Sequence, residues 1–148
     1  LYIYVCYLKY VVRIFQERPL FAVNRGQLAE DAEDLVIEGP GASRIRLCVL
    51  PATGKRRGVV LFAPEYGSNR WSCQEYSPFL RDAGYDIVSY EPRGQGESDG
   101  IEGYQPLHWV TDNEVADAKA VLAWLKASSP PNRSARLLAM SPPARLVA

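Results

Sequence analysis

The sequence has 148 residues, with 17 Lys+Arg against 17 Asp+Glu, 47% hydrophobic residues and 23% charged ones. One domain is natural at this length, and the apolar fraction excludes wholesale disorder. The zero net charge argues against a nucleic-acid partner, which would call for a basic excess, and a single histidine, His108, argues against a zinc cage.

The chain opens on Leu, not Met, which suits a fragment, a processed chain or a non-standard start. Residues 1–15, LYIYVCYLKYVVRIF, form an apolar, aromatic segment interrupted by Lys9 and Arg13. It is shorter than the about 20 apolar residues that span a bilayer and lacks a signal-peptide cleavage site. Two readings stay open: a helix or strand packed on the domain, or the trailing end of a membrane anchor with Arg13 and Arg18 on its cytoplasmic flank. Residues 16–33 are polar and mixed and read as a linker. Residues 34–148 read as the folded domain.

Within that domain, 34–38 and 44–51 are strand candidates divided by Gly39-Pro40-Gly41. Residues 53–57 are a second turn. Gly58–Ala63 is a continuous apolar run of the kind buried on both faces of a parallel sheet. Ser72-Cys73-Gln74-Glu75 fits a capping box opening a helix over about 73–83, with Tyr76, Phe79, Leu80 and Ala83 at helical spacing and Gly84 at C′. Tyr85–Tyr90 is the next strand. A glycine-rich loop runs from Glu91 to about Leu107. Thr111-Asp112-Asn113-Glu114 is a second capping box, and Val115, Ala118, Leu122 and Leu125 make the apolar stripe of a helix near 112–127. The last strand is expected at 135–140. Strands alternating with helices predict an α/β fold with 58–63, 85–90 and 135–140 adjacent and parallel, and with the first two strands as an antiparallel edge. The edge left by the last strand invites self-association.

Ligands of open α/β sheets bind outside the carboxyl ends of the strands. Three loops leave such ends. They are Pro64-Glu65-Tyr66-Gly67-Ser68-Asn69-Arg70-Trp71, Glu91-Pro92-Arg93-Gly94-Gln95-Gly96-Glu97-Ser98-Asp99-Gly100, and Ser141 directly after the final strand. A pattern lies in Pro64-Glu65-Tyr66-Gly67-Ser68-Asn69, Glu91-Pro92-Arg93-Gly94-Gln95-Gly96-Glu97-Ser98 and Ala139-Met140-Ser141-Pro142-Pro143. In order and spacing these resemble the three turns of the α/β-hydrolases, in the serine-hydrolase branch that includes monoglyceride lipases and serine aminopeptidases. The resemblance covers roughly 34–141 and implies a partial α/β-hydrolase sheet, truncated after the fifth strand. It implies Ser141 as the nucleophile position and the Tyr66 backbone N–H as an oxyanion donor, with Gly67 and Ser68 allowing close backbone approach. Arg93, Gly94, Gly96 and Ser98 would be structural turn residues. The implied substrate is a small carboxylic ester or amide, with no metal or cofactor. The unpaired cysteines and residues 1–15 place the chain, as an expectation, in the cytoplasm or on the cytoplasmic face of a membrane.

The departures from the pattern bear on chemistry. Pro64-Glu65 replaces the usual His-Gly, and Ala139 and Pro143 replace the elbow glycines. Pro142 follows Ser141 and has no N–H to donate to an oxyanion. The family order is serine, acid, histidine. Here no acid or histidine follows Ser141 before Ala148, and His108 precedes it. Cys6, Cys48 and Cys73 are odd in number and far apart in sequence, which fits a reducing compartment rather than a disulfide framework. The expectation is therefore an inactive serine hydrolase. A non-catalytic remnant or interaction protein, membrane-attached through residues 1–15, is the alternative. A nucleotide-binding loop at Gly94-x-Gly96-x-x-x-Gly100 with Asp117 is a minor one, because the spacing is one residue too long and no helix follows.

Overall fold

A computed structural model describes residues 2–16, 26–107, 110–128 and 134–139. The elements are α1 (Tyr2–Gln16), β1 (Glu33–Glu38), β2 (Arg44–Leu50), β3 (Gly58–Ala63), α2 (Pro78–Asp82), β4 (Tyr85–Tyr90), α3 (Thr111–Ser128) and β5 (Ser134–Ala139), with 3₁₀ turns at Pro40–Ala42 and Arg70–Glu75. One five-stranded sheet has the order β1-β2-β4-β3-β5. β3 pairs in parallel with β4 on one side and with β5 on the other, with Val60 opposite both Ile87 and Arg136. β1 pairs antiparallel with β2, and β2 antiparallel with β4. The expected fold class and the parallel set of three strands are thus present.

Burial on both faces explains the unbroken apolar run of β3, whose first five residues are all buried. One face carries Ile45, Leu47, Val59, Leu61 and Val88 against Ala118, Val121 and Leu125 of α3. The opposite face carries Cys48, Leu50, Val60, Phe62 and Ile87 under the Arg70–Glu75 turn and Cys73. Residues 26–32 lie on this second face: the Asn69 amide donates to the Gly26 carbonyl at 2.9 Å, and Ala29 and Ala32 pack on the core.

Two helices differ from expectation. The helix expected over 73–83 is split into the 3₁₀ turn and the five-residue α2. Pro78 is the reason: it has no N–H to continue a helix from upstream, and its fixed φ suits the first turn of a new one. Ser72 lies inside the 3₁₀ turn, its hydroxyl donating to the Asn69 carbonyl at 2.8 Å, and does not cap a longer helix. Phe79 is left 66% exposed, while Tyr76 stacks on Phe62 with ring centroids 6.1 Å apart. Gly84 takes φ +94° one residue past the Ala83 cap, as the C′ position requires. α3 begins at Thr111, and its buried line runs through Glu114, Asp117, Ala118, Val121 and Leu125. The stripe is rotated from the expected one, because two carboxylates face inward.

α1 packs differently from every other element: residues 2–10 are all exposed, with Tyr2, Ile3 and Tyr4 about four-fifths so. Among the described residues no helix is long and apolar enough to cross a membrane.

Candidate active site

β3, β4 and β5 are parallel and in register, so their carboxyl ends share one edge of the sheet. The loops leaving β3 and β4 meet there around a cleft of about 440 Å³. Gly67, Ser68 and Arg70 line it from the first loop, Glu91, Gly96 and Glu97 from the second.

The first loop is a tight turn. The Ser68 N–H and hydroxyl both donate to the Glu65 carbonyl, at 3.0 and 2.7 Å. Gly67 has φ +78°, a conformation that favours glycine, and its N–H donates to the Gln95 side-chain oxygen at 3.2 Å. Tyr66, the expected oxyanion donor by its backbone, immediately precedes that turn, and its phenol donates to the Leu107 carbonyl. The two loops are therefore fastened to one another.

The second loop is built around two carboxylates. Glu91 is 1% exposed and accepts from the Arg70 N–H at 3.1 Å, the Arg70 guanidinium at 3.0 Å and the Glu97 N–H at 2.8 Å. Gly96 wraps over that carboxylate with φ +54°, and a Cβ there would stand 2.2 Å from the Glu91 carboxyl carbon. The Arg93 N–H and Nε donate to Asp117 at 2.8 and 2.7 Å, and Asp117 is fully buried on α3. Burial pushes the Asp117 carboxyl up, while the Arg93 N–H and guanidinium pull it back. The Gly94 N–H donates to the Asp99 carbonyl and its carbonyl accepts from the Leu107 N–H, each at 2.8 Å. The Ser98 hydroxyl donates to the Glu91 carbonyl at 2.6 Å and accepts from the Arg46 N–H at 2.8 Å, tying the loop to β2.

Arg70 joins everything. It is 1% exposed, yet its guanidinium meets Asp34 at 2.6 and 2.8 Å, Glu91 at 3.0 Å and Glu97 at 3.0 Å, and it lies 4.0 Å over the Trp71 ring. Sequence reasoning missed this centre. Arg70 stood in a loop already singled out, but its partner Asp34 is in β1, far away in the chain. Acids at Glu91 and Glu97 flanking the Arg-Gly-x-Gly stretch were the available signal. The inward acids of α3 were also missed. Asp117, the acid of the nucleotide reading, is buried and accepts from the Arg93 N–H and guanidinium.

Glu114 sits beside Asp117 at 8% exposure. Burial, and then the charge of Asp117, pushes its carboxyl up to about 7 from 4.5. A carboxyl raised in the folded state favours folding below its unfolded value and loses that contribution as pH rises through its folded value. Glu114→Gln is therefore expected to stabilise the chain by roughly 1–2 kcal/mol at about pH 8 and to change little at about pH 4. Urea midpoints at the two pH values check this, and equal effects at both would contradict it.

Ser141, Pro142 and His108 lie outside the described residues. The cleft thus brings together Gly67, Ser68, Gly94 and Gly96, with Tyr66 next to Gly67 in the first loop and Arg93 and Ser98 fixing the second loop. Among the described residues no group of His, Cys, Asp or Glu is arranged to hold a metal ion.

A parallel sheet with the loops of its third and fourth strands over one edge is the core of the α/β-hydrolase fold, and solved structures agree. A serine hydrolase homologue from Coxiella burnetii superposes with a TM-score of 0.63 at 20% identity, over 82% of this chain and 57% of that one. An esterase from Pyrococcus furiosus gives 0.60 at 22% identity, over 79% and 46%. A lidless serine hydrolase from Xanthomonas campestris gives 0.55 at 22% identity, over 78% and 53%. The chain therefore spans roughly half the length of these proteins. Residues 45–140 match the X-Pro dipeptidyl-peptidase (S15) family, and the chain belongs to that family of α/β-hydrolases. No curated protein matches it.

Proposed function

We propose that the chain carries the substrate-facing loops of a serine hydrolase acting on small carboxylic esters or amides, with Ser141 at the nucleophile position, and that the 148-residue polypeptide does not turn substrate over. The observation that carries the reading is the cleft at the carboxyl edge of β3 and β4, with the Tyr66–Gly67 turn fastened to the Gly94–Gly96 loop. An acyl-transfer site needs backbone donors there for the developing oxyanion. Neutral serine also needs a base, and Pro142 removes the N–H that the elbow should add.

Capture by a fluorophosphonate tests this. Labelling of Ser141 is expected at background in the chain itself. It should rise when Pro142→Gly restores the donor and added imidazole supplies the base. Modification at other residues only, or no rise, would favour a non-catalytic scaffold.

A second reading concerns location, and the exposure of α1 favours it. Tyr4, Tyr7, Leu8 and Val11 share one side of the helix by their spacing, while Lys9 lies on the other, and the helix has no acid. An aromatic face beside a basic one suits the boundary of an anionic bilayer. The chain is expected to co-sediment with vesicles containing anionic lipid, and Lys9→Glu with Arg13→Glu to release it. Equal sedimentation of that double variant would contradict the reading.

A further inference from the structure

Cys48 and Cys73 come from different elements and are far apart in sequence, yet both are fully buried on the same face of the sheet. Their thiols donate to one acceptor, the Arg70 carbonyl, at 3.1 Å from Cys48 and 3.4 Å from Cys73. Two sulfurs on one carbonyl oxygen are neighbours. Ser89, directly opposite Cys48 in the β2–β4 ladder, adds a buried hydroxyl. The shared acceptor belongs to Arg70, which lines the cleft. Nothing in the hydrolase chemistry uses the two thiols.

We infer that Cys48 and Cys73 form an oxidation site, converted by a hydroperoxide into an intramolecular disulfide that ties β2 to the segment following the first loop.

The two sulfurs are not equivalent. The neighbouring Cys48 side chain holds the Cys73 thiol below its ordinary value; burial opposes this and the Ser89 hydroxyl assists. The same interaction, together with burial, pushes the Cys48 thiol up. Cys73, the more loosely held of the two on the Arg70 carbonyl at 3.4 Å and the thiol held low, is the attacking sulfur, because the thiolate is the nucleophile. Its lone pair displaces hydroxide from the peroxide O–O bond and gives a sulfenic acid. The Cys48 sulfur then attacks that sulfenic sulfur, the S–O bond breaks and the hydroxyl leaves with the Cys48 proton as water. In sum, two thiols and one hydrogen peroxide give one disulfide and two waters. The disulfide carries no S–H, so the Arg70 carbonyl loses both donors, and the backbone that positions the carboxylate network must readjust.

The inference is independent of the hydrolase reading, and its test needs no activity. The native 148-residue chain is treated with hydrogen peroxide, remaining thiols are alkylated in denaturant, and peptides are mapped. The expected product is a dithiothreitol-reversible Cys48–Cys73 crosslink with Cys6 still alkylated. Crosslinks from Cys6 to either partner, or sulfinic acid at Cys73 with Cys48 free, would overturn it. In Cys48→Ala, dimedone should trap a sulfenic acid at Cys73. In Cys73→Ala, Cys48 should stay reduced, and an equally oxidisable Cys48 would contradict the assigned roles. If either variant fails to fold, the wild-type map decides alone.

Discussion

Arg70→Ala is expected to lower the unfolding free energy by about 3–5 kcal/mol, a large share of the 5–15 kcal/mol that a domain possesses. Among the described residues the Arg70 guanidinium is the cation paired with Glu91, and both side chains are 1% exposed. Removing it strands a buried carboxylate and also releases Asp34 and Glu97. Most of the loss comes from that unpaired charge rather than from the attraction itself. Glu91→Gln in the Arg70→Ala background should therefore recover part of it. Arg81, paired with the half-exposed Asp31, is the contrast: its replacement should cost about 1 kcal/mol or less through that pair. Urea unfolding followed by circular dichroism measures all three. An Arg70→Ala loss below about 1 kcal/mol would show that water already screens the cluster.

Much of the fold was legible because β-strands declare themselves locally. Gly58–Ala63 needed only its unbroken apolar run, and the structure places that strand at those bounds, between two parallel neighbours. The helical segments were less legible where one residue vetoes a pattern. Pro78 cut a convincing apolar spacing, and its position next to Ser77 was the overlooked sign. The α3 stripe failed for another reason. Carboxylates are assigned outward by default, and only the tertiary contact from Arg93 makes inward Asp117 tolerable. The candidate site divides in the same way. Loop glycines such as Gly67 and Gly96 could be marked from sequence, since positive φ is a local demand. Arg70 could not, because its meaning depends on Asp34 across the sheet. Cys48 and Cys73 likewise became a pair only once β2 and the 3₁₀ turn were brought together.

The second large effect is catalytic. Within these 148 residues the only imidazole is His108, and it precedes the serine position, against the serine–acid–histidine order of the family. A serine hydroxyl without a base is a weak nucleophile. Pro142 removes one oxyanion donor, which by itself costs about 2.7–4 kcal/mol of transition-state stabilisation, or roughly 10²–10³ in rate. Either defect would leave weak catalysis, and the two together should leave none. The loops around the cleft can be intact and the chain still inert, because positioning without a nucleophile does not break an acyl bond.

Hydrolysis of a short-chain aryl ester by the purified chain, measured beside Ser141→Ala, is the direct test. The two rates are predicted to coincide with the uncatalysed background. A rate above background that disappears in Ser141→Ala would contradict the account, since it would mean that a base reaches Ser141 within this polypeptide.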